Sequence, residues 1–316
     1  MADTITEWQR RQFNSNVIYC MQQVQSLVVP NLDPMNVHLG VKGNLDDFDI
    51  VGSMVHHDLT DRHGDTQVGS VEHGRVWCRP YPSDAVLYLD REDKVRSAIE
   101  DPNSAHTRTI AMSLIRAKDK RLLDAARAAA LIGETASSTV AFDTANQQIA
   151  LDTTPNDVLT LAKIKTASVK LTDAAFPIGE GERFFYYAPG QLPAILAITQ
   201  AASSDFTAQR IYDSGDINGK FWMGFKWVCI PDVKTQSSTG TISTLLRMLN
   251  LSSTTRSCLA VGRAALGYSE TQGISTFLDV LPQKQHLTQA RAVVDCNGVR
   301  VMQNGVVEIL AKEETA

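Results

Sequence analysis

Residues 101–133 read DPNSAHTRTIAMSLIRAKDKRLLDAARAAALIG, and no other stretch limits the fold as much. Asp101 can cap a helix N-terminus, and Pro102 suits the first helical position, where a missing N–H costs nothing. Alanine and long unbranched side chains then run to Gly133, a suitable C-terminal stop. Ala111, Ile115, Leu122, Ala126 and Ala129 recur at helical spacing and form the expected core face. Arg116, Lys120 and Arg127 mark a charged face. A continuous helix over this stretch is about 45 Å long at 1.5 Å per residue, which is unusual for a globular domain.

The segments on either side differ in character. Trp8–Val29 carries Phe13, Val17, Met21, Val24 and Val28 three or four apart and predicts a helix, stopped by the prolines of VVPNLDP. Val41–Tyr88 is punctuated by glycines between short β-prone runs, FDIV and RVWC, and is too polar to bury a core of its own. It predicts a long hairpin or extended loop that needs a partner surface. Residues 152–268 predict a mixed α/β unit. Its parts are a capped helix near Asn156–Ala174, the strand RFFYYA, a helix in PGQLPAILAITQ, a turn in DSGDING, one aromatic strand KFWMGFKWVCI and a helix near Thr255–Gly267. The tail QARAVVDCNGVRVMQNGVVEILA holds two Asn-Gly pairs, 297–298 and 304–305, and predicts a three-strand antiparallel meander.

Chemistry is sparse. His56, His57 and His63 stand among Asp58, Asp61 and Asp65, with His73 and Cys78 close behind. As a metalloenzyme centre the cluster lacks HExxH, and the neighbouring His56 and His57 point to opposite sides of a strand. In a polar, glycine-rich segment the plainer reading is a solvated hairpin tip. DSGDINGK misses the phosphate-loop spacing by one residue, and Phe225 stands where a calcium loop needs glutamate. No GxSxG elbow occurs. The five cysteines are scattered without a CxxC pair, which argues against a zinc ribbon and suits a reducing compartment. No apolar run approaches the ~20 residues of a membrane span, and the start MADTITEWQRRQF has no secretory apolar region. No catalytic residue and no cofactor is expected.

Charge supplies one further signal. Over 316 residues the net charge is −5, which excludes a whole-protein basic field for nucleic acid. Within that total, residues 41–101 carry −6 and residues 102–133 carry +4. An acidic extended segment beside a long basic helix suggests docking between copies.

The order of arm, hairpin, long helix, α/β unit and closing strands resembles a tailed-bacteriophage major capsid protein of the Hong Kong 97 fold. The resemblance rests on RHGDTQ (62–67), EHGRVW (72–77), DREDKVRSAIEDP (90–102), IRAKDKRLLDAARAAALIG (115–133), SGDINGKFWMGFKWV and CNGVRVMQNGVVEI. It spans nearly all the chain beyond the arm. The implied fold is α+β: an N-terminal arm (1–40), an extension-loop β-hairpin (41–90), a peripheral domain (91–151 and 269–316) with a spine helix at about 102–133 and an antiparallel sheet, and an axial α/β domain (152–268).

That resemblance implies a non-enzymatic shell subunit, assembling with many copies of itself as pentamers and hexamers of an icosahedral head around double-stranded DNA. The DNA would be held without sequence-specific binding, and no membrane is involved. Arg62, Asp65, His73 and Arg75 become candidates for intersubunit contacts, with Arg116, Lys120 and Arg127 on the helix. Some relatives cross-link covalently through an extension-loop lysine; here none lies between Lys42 and Lys94, so non-covalent locking or separate cement proteins are expected. With about forty residues ahead of the loop, a separate scaffolding protein is expected, and a portal completes the partners. The place of action is the virion, after assembly in the bacterial host cytoplasm. An encapsulin-like nanocompartment shell and a metalloenzyme using His56, His57 and His63 stand as the alternatives.

Overall fold

The computed structural model describes residues 23, 25–58, 65, 68–89, 102–152, 157–198, 217–236, 241–252, 255–284 and 286–313. In chain order the elements are β1 (Val37–Leu39), β2 (Asp46–Val51), β3 (His73–Cys78), β4 (Tyr81–Leu89), α1 (Pro102–Ala125), β5 (Ala130–Ile132), β6 (Ser138–Val140) and β7 (Gln148–Ile149). There follow α2 (Leu161–Asp173), β8 (Arg183–Tyr187), α3 (Leu192–Leu196), β9 (Phe221–Trp222), β10 (Phe225–Cys229), β11 (Val233–Gln236) and β12 (Ile242–Leu246). Last come β13 (Thr255–Gly262), β14 (Leu266–Leu281), β15 (Leu287–Arg300) and β16 (Val306–Lys312). The fold is mixed α+β, with several sheets and few helices.

Three sheets organise the described chain. One has the order β1-β14-β15-β4, a second β7-β16-β13-β8-β10-β9 and a third β2-β3-β5-β6, while β11 and β12 form a separate ribbon. The helix α1 lies on the first sheet, and Leu114, Leu122, Leu123 and Ala126 share one apolar core with Ala290, Ala292, Val294 and Cys296 of β15. A second core, between α2 and the six-stranded sheet, gathers Ile164, Ala167 and Leu171 with Phe185, Trp227 and Val307. RFFYY and TRSCLAVG are buried along their whole length because each lies between two other strands of that sheet.

The long helix starts at Pro102 as predicted, whereas Asp101 lies outside the described residues. It stops at Ala125, not Gly133: Ala130–Ile132 pairs with β3, Val76 against Ile132 and Trp77 against Leu131. Sheet pairing overrides the helical preference of alanine there. Its buried face is also shifted. Leu122 and Ala126 are buried as expected, but Ala111 and Ile115 are half-buried and Ala129 is exposed.

Three other expectations give way, one helix starts later than expected and one lies mostly outside the described residues. Thr255–Gly267 holds the buried strand β13 and not a helix, since a short apolar run fits either until its neighbours are known. KFWMGFKWVCI folds back on itself as β9 and β10, with Met223 and Gly224 at φ +53° and +82°, the geometry of a two-residue hairpin turn. PGQLPAILAITQ yields one 3₁₀ turn and the five-residue α3, and the helix expected over 156–174 begins at Leu161. Of the helix expected over Trp8–Val29, residues 25–28 are irregular and lead into a 3₁₀ turn at Val29–Asn31; most of it lies outside the described residues.

The tail corrects the meander most fully. β15 is a single 14-residue strand that runs straight through Asn297-Gly298, and β16 belongs to the six-stranded sheet. Gly298 is there because α1 lies on it: a Cβ would sit 2.7 Å from Leu122 Cδ2 and 3.1 Å from Leu122 Cα. Gly305 is equally crowded, with a Cβ falling 2.4 Å from that of Ala265. In an Asn-Gly turn asparagine is tolerated at the glycine position; on this strand it collides with a helix backbone. Gly298→Asn is therefore expected to cost about 1–3 kcal/mol through overpacking, read as a lowered thermal midpoint, and an unchanged midpoint would contradict this packing.

The thiols follow from the same burial. Desolvation pushes Cys78 and Cys258 up to about 12, so both stay protonated near neutrality. At pH 8 the native protein is expected to leave these two unlabelled by an alkylating reagent while half-buried Cys229 reacts ahead of them, read by peptide mass spectrometry.

Candidate assembly surfaces

The hairpin expected over 41–88 exists as β2 and β3, paired from Asp46 with Cys78 to Val51 with His73. The pairing extends one step further, where Gly52 N–H donates to the Glu72 carbonyl at 2.8 Å. Its base is anchored. Phe48, Val76 and Cys78 pack with Ala130, Val299 and Val301, and Trp77 Nε1 donates to the Gly133 carbonyl at 2.5 Å. His38 stacks on Phe48 with ring centroids 4.5 Å apart, its Nδ1 2.8 Å from Asp46 Oδ2. Further out the cover disappears: Val51, Met54, Val55 and Val68 are exposed, Val68 by 90%. Four apolar side chains thus stand uncovered on this segment.

The base also carries a charge cluster. Arg75 Nε lies 2.7 Å from Asp49 Oδ1 and 3.2 Å from Asp47 Oδ2, one cation between two carboxylates. The hydrogen bond from Arg75 holds the Asp49 carboxyl below its ordinary range. Beside it runs a groove of about 670 Å³ lined by Asp49, His73, Arg75, Ile132, Glu134 and Val301.

The residues singled out from sequence separate into three groups. His73 and Arg75 sit together on β3, and Asp65 is exposed on the connecting segment. Arg62 and His63 lie outside the described residues. The helix residues turn out to have partners within the chain. Lys120 Nζ is 2.5 Å from Asp124 Oδ2, and Arg127 reaches Asp124 at 3.0 Å and Glu308 at 3.7 Å. Lys118 pairs with Glu270 at 2.7 Å, and buried Arg121 donates to the carbonyls of Pro82, Tyr81 and Cys296. Arg116 is half-buried, and desolvation lowers its pKa. Four of the six basic side chains of this stretch, Lys118, Lys120, Arg121 and Arg127, are thus engaged inside the subunit. His56 and Asp58 are both almost fully exposed at 3.6 Å. Among the described residues no three His, Cys, Asp or Glu side chains are grouped to hold a metal.

A second surface escaped the sequence reading. β14 is buried from Leu266 to Glu270, then its register against β15 shifts between Glu270 and Ser275. Beyond that irregularity Phe277, Leu278 and Val280 are about half exposed. The strands align Val86, Arg291 and Phe277 in one row and Leu87, Ala290 and Leu278 in the next. The far end of the β4–β15–β14 sheet therefore shows apolar side chains on both faces. Arg291 pairs with Asp84 at 3.3 Å and Lys284 lies 4.6 Å from the Tyr88 ring centroid, a polar fringe around that patch.

Comparison with known proteins gives consistent results. Residues 5–313 match a family described as phage capsid protein. Curated proteins gave no match. Among solved structures, the acid-stable capsid of Helicobacter pylori bacteriophage KHP30 aligns with a TM-score of 0.69 at 8% identity, covering 99% of each chain. The capsid of cyanophage P-SCSP1u aligns at 0.67 and 12% identity, covering 96% of this chain and 93% of that one. The capsid of cyanophage Pam1 aligns at 0.66 and 11% identity over 100% of both. At these identities the likeness is one of fold.

Proposed function

The chain belongs to the phage capsid protein family and is a major capsid subunit of the virion, and from that premise we propose how it builds a shell. Copies assemble as pentamers and hexamers of an icosahedral head of the Hong Kong 97 type, held by non-covalent contacts around double-stranded DNA. The arm is residues 1–40 and the extension loop 41–90. The peripheral domain is 91–151 with 269–316, α1 being its spine, and the axial domain is 152–268. The observation that carries this reading is the hairpin, anchored at its base by Phe48, Trp77 and Val76 and left apolar and uncovered at Met54, Val55 and Val68. A neighbour supplies the missing cover.

Arg62, Asp65, His73 and Arg75 are proposed as polar contacts of that loop, and Arg116, Lys120 and Arg127 as contacts made from the helix side. Exposed ion pairs contribute about 0–1 kcal/mol each, whereas covering one exposed Phe or Val contributes about 1.5–3 kcal/mol. The apolar contacts hold and the charged ones set register. Repetition over a closed shell makes individually weak contacts collectively strong. A separate scaffolding protein, a portal and a cement or decoration protein are the proposed partners, with assembly in the host cytoplasm. The role is structural; the family match favours it over the nanocompartment and metalloenzyme readings.

The test is to replace residues 54–70 by a short turn in the otherwise full chain. The trimmed subunit is expected to keep its circular dichroism spectrum and to sediment only as small species with its scaffolding partner. Closed shells of ordinary diameter from that variant would overturn the proposal.

A further inference from the structure

The segment before β1 is held to the body in an unusual way. Asp119, in the middle of α1, is completely buried. Its two carboxylate oxygens accept from Ser26 Oγ at 2.5 Å, Leu27 N at 2.9 Å, Val28 N at 3.4 Å and Gln23 Nε2. All four donors come from residues 23–28, about ninety positions away in sequence. Among the described residues no Lys, Arg or His forms an ion pair with this carboxylate; burial raises its pKa and the four hydrogen bonds oppose that rise. The Ser26 hydroxyl also accepts from Val29 N at 3.1 Å, which starts the 3₁₀ turn at Val29–Asn31. Val28 and Leu32 then fill the core shared by α1 and β15. The next anchor is of another kind: Asp33 N–H donates to the Arg263 carbonyl at 3.1 Å, on the turn before β14.

We propose that residues 25–32 form a detachable strap with Asp119 as its main polar latch, beside a lesser tie from Asn31 to Tyr186, leaving and regaining the seat on α1 as a unit while the rest of the fold stays formed. The carboxylate forces that unity. A buried carboxyl group that loses some of its donors is left short of partners without water to replace them, whereas complete release lets water reach it. The apolar plugs act in the same sense, since lifting Val28 opens a cavity that Leu32 borders. Asp33 and the β1 pairing with β14 mark where release ends. Lifting the strap frees two backbone N–H groups and two apolar side chains. The inference stands on contacts within one chain and does not depend on shell formation.

Hydrogen exchange on the full-length protein tests it. In Asp119→Asn the side-chain amide turns donors toward donors, and exchange at the Leu27 and Val28 amides is expected to rise about 10- to 100-fold. Amides of residues 110–117 and of β13 should keep their wild-type rates. Ser26→Ala should give a smaller rise confined to the same positions. Unchanged exchange at Leu27 and Val28 in Asp119→Asn overturns the latch, and so does a rise shared equally by α1 and β13. Should Asp119→Asn fail to fold, the wild-type protein decides. The strap amides should exchange through an opening that low denaturant does not accelerate, and exchange only through global unfolding would overturn the proposal.

Discussion

Arg300→Ala is expected to remove most of the folded, soluble protein. The Arg300 side chain is fully buried at the end of β15, and no carboxylate faces it among the described residues. Its Nη1 donates to the carbonyls of Ala126 at 2.9 Å and Ala128 at 2.8 Å, in the turn that follows α1. Nη2 reaches the Val140 carbonyl in β6 at 3.4 Å, Nε donates to Gln303 Oε1 at 2.6 Å, and the guanidinium lies 5.2 Å from the Phe142 ring centroid. One side chain thus joins the long helix, the hairpin sheet and the turn before β16. Alanine leaves the buried Ala126 carbonyl and two part-buried ones without this donor and adds a cavity, at a combined cost of about 3–5 kcal/mol. Against a typical total of about 5–15 kcal/mol that is a large fraction. Arg300→Lys supplies one point donor in place of a planar fork and recovers only part of it. Soluble yield and thermal midpoint are the readouts; an alanine variant that melts with the wild type would show that the helix end is satisfied in some other way.

The second large effect concerns assembly and not folding. Phe277→Asp combined with Val280→Asp is expected to leave the subunit folded and to prevent shells from closing. Both side chains are about half exposed in the single subunit, so their exchange costs little there. In a shell each buried copy would carry an unpaired carboxylate into an apolar contact, a penalty of several kcal/mol per site. Reversing Arg75 to glutamate should act more weakly, because it disturbs an exposed cluster with Asp47 and Asp49 that water already screens. Sedimentation velocity separates the cases. Wild-type-like shells from the double aspartate variant would place the sheet end outside every contact, and a stronger effect from Arg75→Glu would invert the proposed division between apolar and charged groups.

How much of this was legible in the sequence depended on whether an element's neighbours were local. FDIV and RVWC were legible as hairpin strands because they are short β-prone runs set between glycines. RFFYY was readable as a strand by its aromatic run. The start of α1 was marked by Pro102, but its end was set by β3, more than fifty residues earlier in the chain. TRSCLAVG carries no periodicity at all, since both of its faces are covered, and it was taken for a helix. The Asn-Gly pairs at 297 and 304 misled for a related reason. Glycine there answers the close approach of Leu122 and Ala265, which no local pattern encodes. Similarly, the charges of α1 could be counted but not assigned, because Lys118 meets Glu270, 152 positions on. The exposed sheet end at Phe277 and Val280 left no readable trace, for a strand that is apolar on both sides looks like a buried one until its neighbours are known.

Negative-stain electron microscopy of the full-length protein, expressed alone and with its scaffolding partner, tests the central claim most directly. Uniform closed shells, or rings with five- and six-fold symmetry, are the expected result in at least one of the two preparations. A folded protein that remains monomeric in both, with the hairpin tip and the Phe277 sheet end uncovered in solution, would contradict it.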